Sequence, residues 1–185
     1  MVYLLDANVL ITAHHTYYPT TGVPEYWEWL SFMGSAGKIK IPYEIWEEIK
    51  EGPSDTERDL LFAWLKKDTT TKALLLDDEI DPALVQQVTL RGYAHDLTDD
   101  EVEKIGRDPF LIAYALAGPD RCVVTAENSS PSKRRQNRKV PDVCDSLDVQ
   151  WCNPFQLNKL LNFRTRWRED IPALGDMQQG QQSFS

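Results

Sequence analysis

The chain reads as an α/β domain: a mostly parallel sheet of four to five strands, with helices on both faces, forming three layers α/β/α. Three observations predict this. Short strand-like runs recur at residues 3–5, 38–41, 121–125 and 149–152. Stretches of helical periodicity fill the intervals between them, as crossover connections between parallel strands require. Acidic residues stand where a strand ends or a helix starts, at Asp6, Glu44, Asp108 and Glu127. In an open α/β sheet those positions border the functional crevice.

Each element has a local reason. Residues 3–5 are an apolar run short enough for a buried strand, and Val9, Leu10 and Ala13 repeat at helical spacing across 7–15. Pro19 and Gly22 break the chain before a helix over 24–36 that opens on Pro24 and stops near Gly37. Residues 38–41 alternate as a half-buried strand does. A helix over 42–50 follows, with Ile45, Trp46 and Ile49 on one side and Gly52-Pro53 as its stop. Leu60, Leu61, Trp64 and Leu65 form the apolar stripe of a helix over 55–67. Asp81-Pro82 opens a helix over 83–93, and two more are predicted over 99–105 and 108–117. Residues 121–125 form the clearest central strand, and the polar, basic stretch 129–139 is expected to be a mobile loop. Asn153-Pro154 caps a last helix running to about residue 167. Residues 1–168 are read as one domain and 169–185 as a tail, disordered from about Gly175 where Gln, Gly and Ser dominate.

No apolar run reaches membrane-spanning length, and no basic and apolar leader precedes the first strand, so a cytoplasmic protein is expected. Cys122, Cys144 and Cys152 form no CxxC pair and are expected reduced, and with His14, His15 and His95 they show no zinc-site spacing. The net charge of −9 repels polyanions as a whole. The basic residues are clustered, however: Lys133, Arg134, Arg135, Arg138 and Lys139 crowd one segment, which reads either as a grip for RNA phosphates or as a solvated loop. Arg164, Arg166 and Arg168 form a second group. Trp27 and Trp29 stand two apart on one predicted helix, a spacing that cannot face one core. The six tryptophans are read mainly as core and helix packing, with an oligomer or antitoxin interface at one of Trp27 and Trp29 as the alternative.

Each of the four acids has an ordinary explanation. Asp108 before Pro109 is a good helix cap, Glu44 complements a helix dipole, and Glu127 suits a surface turn. Asp6 resists that treatment, because it follows an apolar strand and a lone buried carboxylate is costly. Together the four make a like-charged cluster that calls for a cation, and hard oxygen donors favour Mg²⁺ or Mn²⁺. Asn8 is placed to orient Asp6, and Thr125 projects to the same side of its strand as Glu127.

These residues resemble the PIN-domain nucleases. Tyr3-Leu-Leu-Asp6-Ala-Asn8-Val-Leu-Ile11 is similar to that family's first motif, Ile41-Pro-Tyr-Glu44-Ile45 to its second, Asp108-Pro-Phe-Leu-Ile-Ala-Tyr-Ala115 to its third, and Val123-Val-Thr125-Ala-Glu127 to its fourth. The resemblance spans about residues 1–160 and is strongest to stand-alone VapC-type toxins. It implies an endoribonuclease using Mg²⁺ or Mn²⁺, with Asp6, Glu44, Asp108 and Glu127 as catalytic and metal-binding residues and a cognate antitoxin as partner. A housekeeping RNA-processing nuclease and a degenerate binding module are the alternatives. Two features depart from the pattern. The fourth acid is Glu where the family usually has Asp, with Asp142 as second choice and Asp145 behind it. The segment 55–107 is also longer than in the simplest toxins.

Overall fold

The strands stack in the order β2-β1-β3-β4, all parallel. They are β1 (Val2–Leu5), β2 (Ile39–Lys40), β3 (Arg121–Val124) and β4 (Trp151–Cys152). The computed structural model describes residues 1–51 and 56–170. The predicted Gly52-Pro53 stop and the Gln-rich tail lie outside the described residues. Among the described residues, ten α-helices are distributed among the strands: α1 (Ala7–Thr12), α2 (Pro24–Ser35), α3 (Tyr43–Glu51), α4 (Thr56–Leu65), α5 (Asp68–Leu74), α6 (Pro82–Gln87), α7 (Asp99–Ile105), α8 (Asp108–Leu116), α9 (Val140–Ser146) and α10 (Pro154–Leu160). The three-layer α/β/α expectation is met.

The strand order has a direct geometric consequence. The chain leaves β1 toward one edge to form β2, then crosses back over β1 to form β3 and continues to β4. Right-handed crossovers place connections running in opposite directions on opposite faces of the sheet. The direction reverses between β1 and β3, and a crevice opens beyond their carboxyl ends at this switch point. Asp6 follows β1 there and Thr125 follows β3.

Leu4, Leu5, Val123 and Val124 are fully buried at the sheet centre, as expected for strands covered on both faces. The caps form where the sequence predicts them. Asp81 accepts from the Ala83 backbone at 2.8 Å, and Asn153 forms a capping box with Gln156. Several elements differ from expectation. The helices predicted over 7–15 and 83–93 each change register midway, becoming π-helical at Ala13–Tyr17 and Val88–Tyr93. Residues 68–76, left without a predicted element, form α5 and a parallel bridge from Leu75 to Ile41, with the Leu76 N–H donating to the Ile41 carbonyl at 2.9 Å. The last helix stops at Leu160.

Trp27 and Trp29 are 2% and 0% exposed, so neither marks an interface. Helix α2 is covered on two sides. Trp27 meets Trp64 of α4 edge-on at 4.8 Å and donates to the Tyr18 carbonyl at 2.8 Å, while Trp29 packs on Phe163 at 4.9 Å. The expectation assumed one buried face, whereas α2 lies between two layers of side chains. All three cysteines are buried and free. Among the described residues, no helix is long and apolar enough to cross a membrane.

Helices α2 and α5 approach closely at Gly34. A Cβ there would lie 2.5 Å from Leu74 Cδ2 and 2.8 Å from the Ala73 carbonyl oxygen. Gly34→Ala should therefore cost about 1–3 kcal/mol, because backbone has to move to admit the methyl group. A lowered urea midpoint at unchanged m-value is the expected readout.

Candidate active site at the sheet switch point

Asp6 is 3% exposed and is the N-cap residue of α1, yet its side chain caps nothing. Its Oδ2 accepts instead from the Thr125 hydroxyl at 2.7 Å and from the Asn8 amide at 2.6 Å. The Asn8 amide is itself fixed, since its Oδ1 accepts from the Ala126 N–H at 2.8 Å. Thr125 Oγ1 also accepts from the Glu127 N–H at 3.2 Å. These bonds tie the end of β1 to the end of β3 across the switch point.

Asp108 repeats the pattern. It opens α8, whose cap position belongs to Arg107, and no side chain caps the helix. The Tyr93 hydroxyl donates to Asp108 Oδ2 at 3.4 Å. Burial pushes the Asp6 carboxyl up to about 7. The bond from Thr125 opposes this, the charges of Glu48 and Glu127 add to it, and the Asn8 bond again opposes it. Asp108 is held well above the usual carboxylate range, first by burial and then by Asp6, Glu127 and Glu48.

The α3 acid that bears on this pair is Glu48. Its own pKa is raised by burial, offset in part by Arg107. Glu44, one turn earlier, looks elsewhere. It lines an open cleft with Tyr43, Asp77, Asp78 and Tyr114, and after burial its charge is the main influence raising Tyr114 to about 12. Arg107 sets this geometry, donating to the Glu44 carbonyl and to Glu51 Oε2, each at 2.5 Å. That clamp holds α3 against the start of α8. Sequence reasoning passed over Glu48 because acids four apart share a helix face, and spacing alone does not rank them. Tyr93 was missed because no local pattern links it to Asp108.

Glu127 lies beside the cluster but is drawn aside. Its Oε1 accepts from Lys139 Nζ at 2.6 Å and its Oε2 from the Val140 N–H at 2.9 Å, at the start of α9. Asp142 anchors the preceding loop, accepting from the Ser129 hydroxyl at 2.6 Å and the Ser130 N–H at 2.8 Å. Asp145 is remote, accepting from Trp151 Nε1 at 2.7 Å near the starts of β1 and β3. Among the described residues, no three His, Cys, Asp or Glu side chains converge tightly enough to ligate one ion together. Like charges facing one another repel, and Lys139 competes for Glu127.

The basic segment is strapped down, contrary to the expected mobile loop. Arg135 makes two bonds to Glu101, at 2.8 and 2.7 Å, and two to Asp96, at 2.6 Å to its carboxylate and 2.9 Å to its carbonyl. Arg138 binds the carbonyls of Gly92 and Asp142. With Lys139 on Glu127 and Arg134 donating to the carbonyls of Pro131 and Lys133, four of the five predicted phosphate contacts are engaged within the chain, although Arg134, like Lys133, stays exposed to solvent. Residues 3–165 match the family described as Domain of unknown function (DUF4411). No curated protein and no solved structure matches the chain.

A carboxyl group with a raised folded pKa binds its proton more tightly folded than unfolded. Without a divalent cation, the contribution of Asp6 to stability should therefore fall as pH rises from about 4 to about 7. In chelator at pH 8, Asp6→Asn should melt above the wild type, with the gap closing toward pH 4. Added Mn²⁺ should raise the melting temperature of the wild type alone.

Proposed function

The chain belongs to the DUF4411 family, so its activity has to be read from the site, and we propose that it is a PIN-like endoribonuclease dependent on Mg²⁺ or Mn²⁺. One observation carries the reading. Two carboxylates stand at helix starts near the β1–β3 switch point: Asp6 holds the cap position of α1 without capping it, and Asp108 opens α8 with its carboxylate accepting from Tyr93. Neither is used to cap its helix, and the charge of Asp6 bears on Asp108. Burying like charges together is unfavourable unless a cation neutralises them.

In chemistry the donor set suits such an ion, with hard carboxylate oxygens and no thiolate or imidazole, and closing on it would require these side chains to converge further than they do here. Asp6, Asp108 and Glu48 would hold it, with Glu127 completing the set once released from Lys139. The ion would supply charge neutralisation at the scissile phosphate and an acidified water for in-line attack. The chain's own residues do the positioning. Thr125 and Asn8 hold Asp6 in one rotamer, Tyr93 orients Asp108, and Arg107 sets the distance between α3 and α8. Lys139 sits beside the acids as a cation available to a phosphate. Lys133 and Arg134 extend that contact outward. RNA is the substrate in this reading, and a toxin role with a cognate antitoxin is its most specific form.

Asp6→Asn, Asp108→Asn and Glu48→Gln should each abolish Mn²⁺-dependent cleavage of single-stranded RNA in the folded protein. Glu44→Gln should retain close to the wild-type rate, and Thr125→Val should lose roughly 10–100-fold as an orienting partner. Cleavage that persists in Asp6→Asn, or in excess chelator, would sink the proposal.

A further inference from the structure

A second cleft of about 220 Å³ opens beside the acid network. Its walls are the π-helical turn after α1 and the start of α10, and its floor includes Val9 and Ala126. Val9 adjoins Asn8. Ala126 lies between Thr125, which binds Asp6, and Glu127. The cleft therefore begins one residue from the network that holds the first catalytic acid.

Two features of the lining point to a ligand. The first is an aromatic pair at the rim. Tyr17 and Phe155 are 49% and 54% exposed, and their rings meet edge to face at 5.0 Å. Large aromatic rings held at a cleft mouth offer faces on which a planar ligand can stack. The second is Asn158 at the back. It is 9% exposed, its amide nitrogen donates to the Tyr18 hydroxyl at 3.4 Å, and its buried carbonyl oxygen has no hydrogen-bond partner. Buried polar atoms are nearly always paired, so an unmatched acceptor lining a cleft suggests a donor that arrives with a ligand. Asn128 adds an exposed amide on the same lining.

We propose that this cleft is a subsite for one unpaired nucleobase of the RNA strand, flanking the acid cluster; the proposal rests on the nuclease reading above. The base stacks against Tyr17 or Phe155 and turns an N–H edge toward Asn158, whose amide rotates to accept from it. Aromatic platforms combined with amide groups are how proteins take splayed-out single-stranded bases. Aromatic rings at a rim with amides behind them suit a flat, polar-edged ring better than a phosphate, for which the lining offers no cation.

The test is fluorescence anisotropy with the cleavage-inert Asp6→Asn protein in Mg²⁺. The probes are labelled single-stranded hexa-adenylate, the same hexamer built from purine ribonucleoside (adenine without its amino group), and an abasic hexamer. Tyr17→Ala and Phe155→Ala remove exposed side chains, and each should weaken hexa-adenylate binding about tenfold while leaving the abasic hexamer unaffected. Asn158→Leu, checked for folding by its melting curve, should erase the preference for hexa-adenylate over the purine hexamer. If both alanine variants stay within about twofold for every probe, the subsite is overturned. The two readings separate cleanly. Wild-type cleavage in Mn²⁺ with unchanged anisotropy strikes the subsite alone. Base-dependent binding without any cleavage strikes the nuclease reading and supports the subsite.

Discussion

The structure turns on the burial of the Asp6 carboxylate at the end of β1. A charge placed there must be gripped: Thr125 grips it from across the gap between β1 and β3, and Asn8 grips it from its own side while accepting from Ala126 across the gap. This bond set closes the one place where the direction of winding reverses and the sheet is covered by no continuous crossover. The fold positions the carboxylate, and the carboxylate in turn ties together the two central strands. The surrounding acids are tolerated because the frame is rigid. Leu4, Leu5, Val123 and Val124 leave the strand ends no room to separate.

Around that point, the remaining charges divide between poise and restraint. The charges of Asp6 and Glu48 both bear on Asp108, whose ionised form burial disfavours, while the Glu48 side chain lies exposed at the edge of the group. Glu127 is held back by Lys139 and by the Val140 N–H at the start of α9. The loop carrying Lys139 is anchored in turn through Arg135 to α7 and through Arg138 to the π-helical turn that bears Tyr93. A shift in that loop would therefore be felt at both Glu127 and Asp108.

Much of the frame was legible in the sequence, for identifiable reasons. The four strands were visible because apolar runs of that length, bounded by Pro, Gly and polar turns, have few other uses. The caps at Asp81 and Asn153 were visible because capping chemistry is local. Asp6, Asn8, Asp108 and Thr125 were visible because each stands at an element boundary. The failures are equally physical. Glu44 and Glu48 lie one turn apart on α3, and which of them bears on Asp6 and Asp108 depends on how α3 sits against α8, where Arg107 donates to the Glu44 carbonyl 63 residues away in the chain. Trp27 and Trp29 misled because a two-sided helix environment leaves no trace in spacing. The basic run misled because a cluster of arginines reads alike whether it meets solvent, RNA or the protein's own Asp96 and Glu101.

The internal commitment of those arginines bears on how the protein can recognise a polyanion. Attraction between a protein and RNA ordinarily grows with the number of counterions its basic groups displace, and it weakens steeply as salt is added. Here the chain carries a net charge of −9, and Arg135, Arg138 and Lys139 already have partners within it. Within this segment few cations are left to displace counterions, so its long-range attraction contributes little. On the nuclease reading proposed above, discrimination between strands would then lean on close-range fit at the crevice and would change less with ionic strength. The protein would choose among RNAs by the shape of what reaches its site.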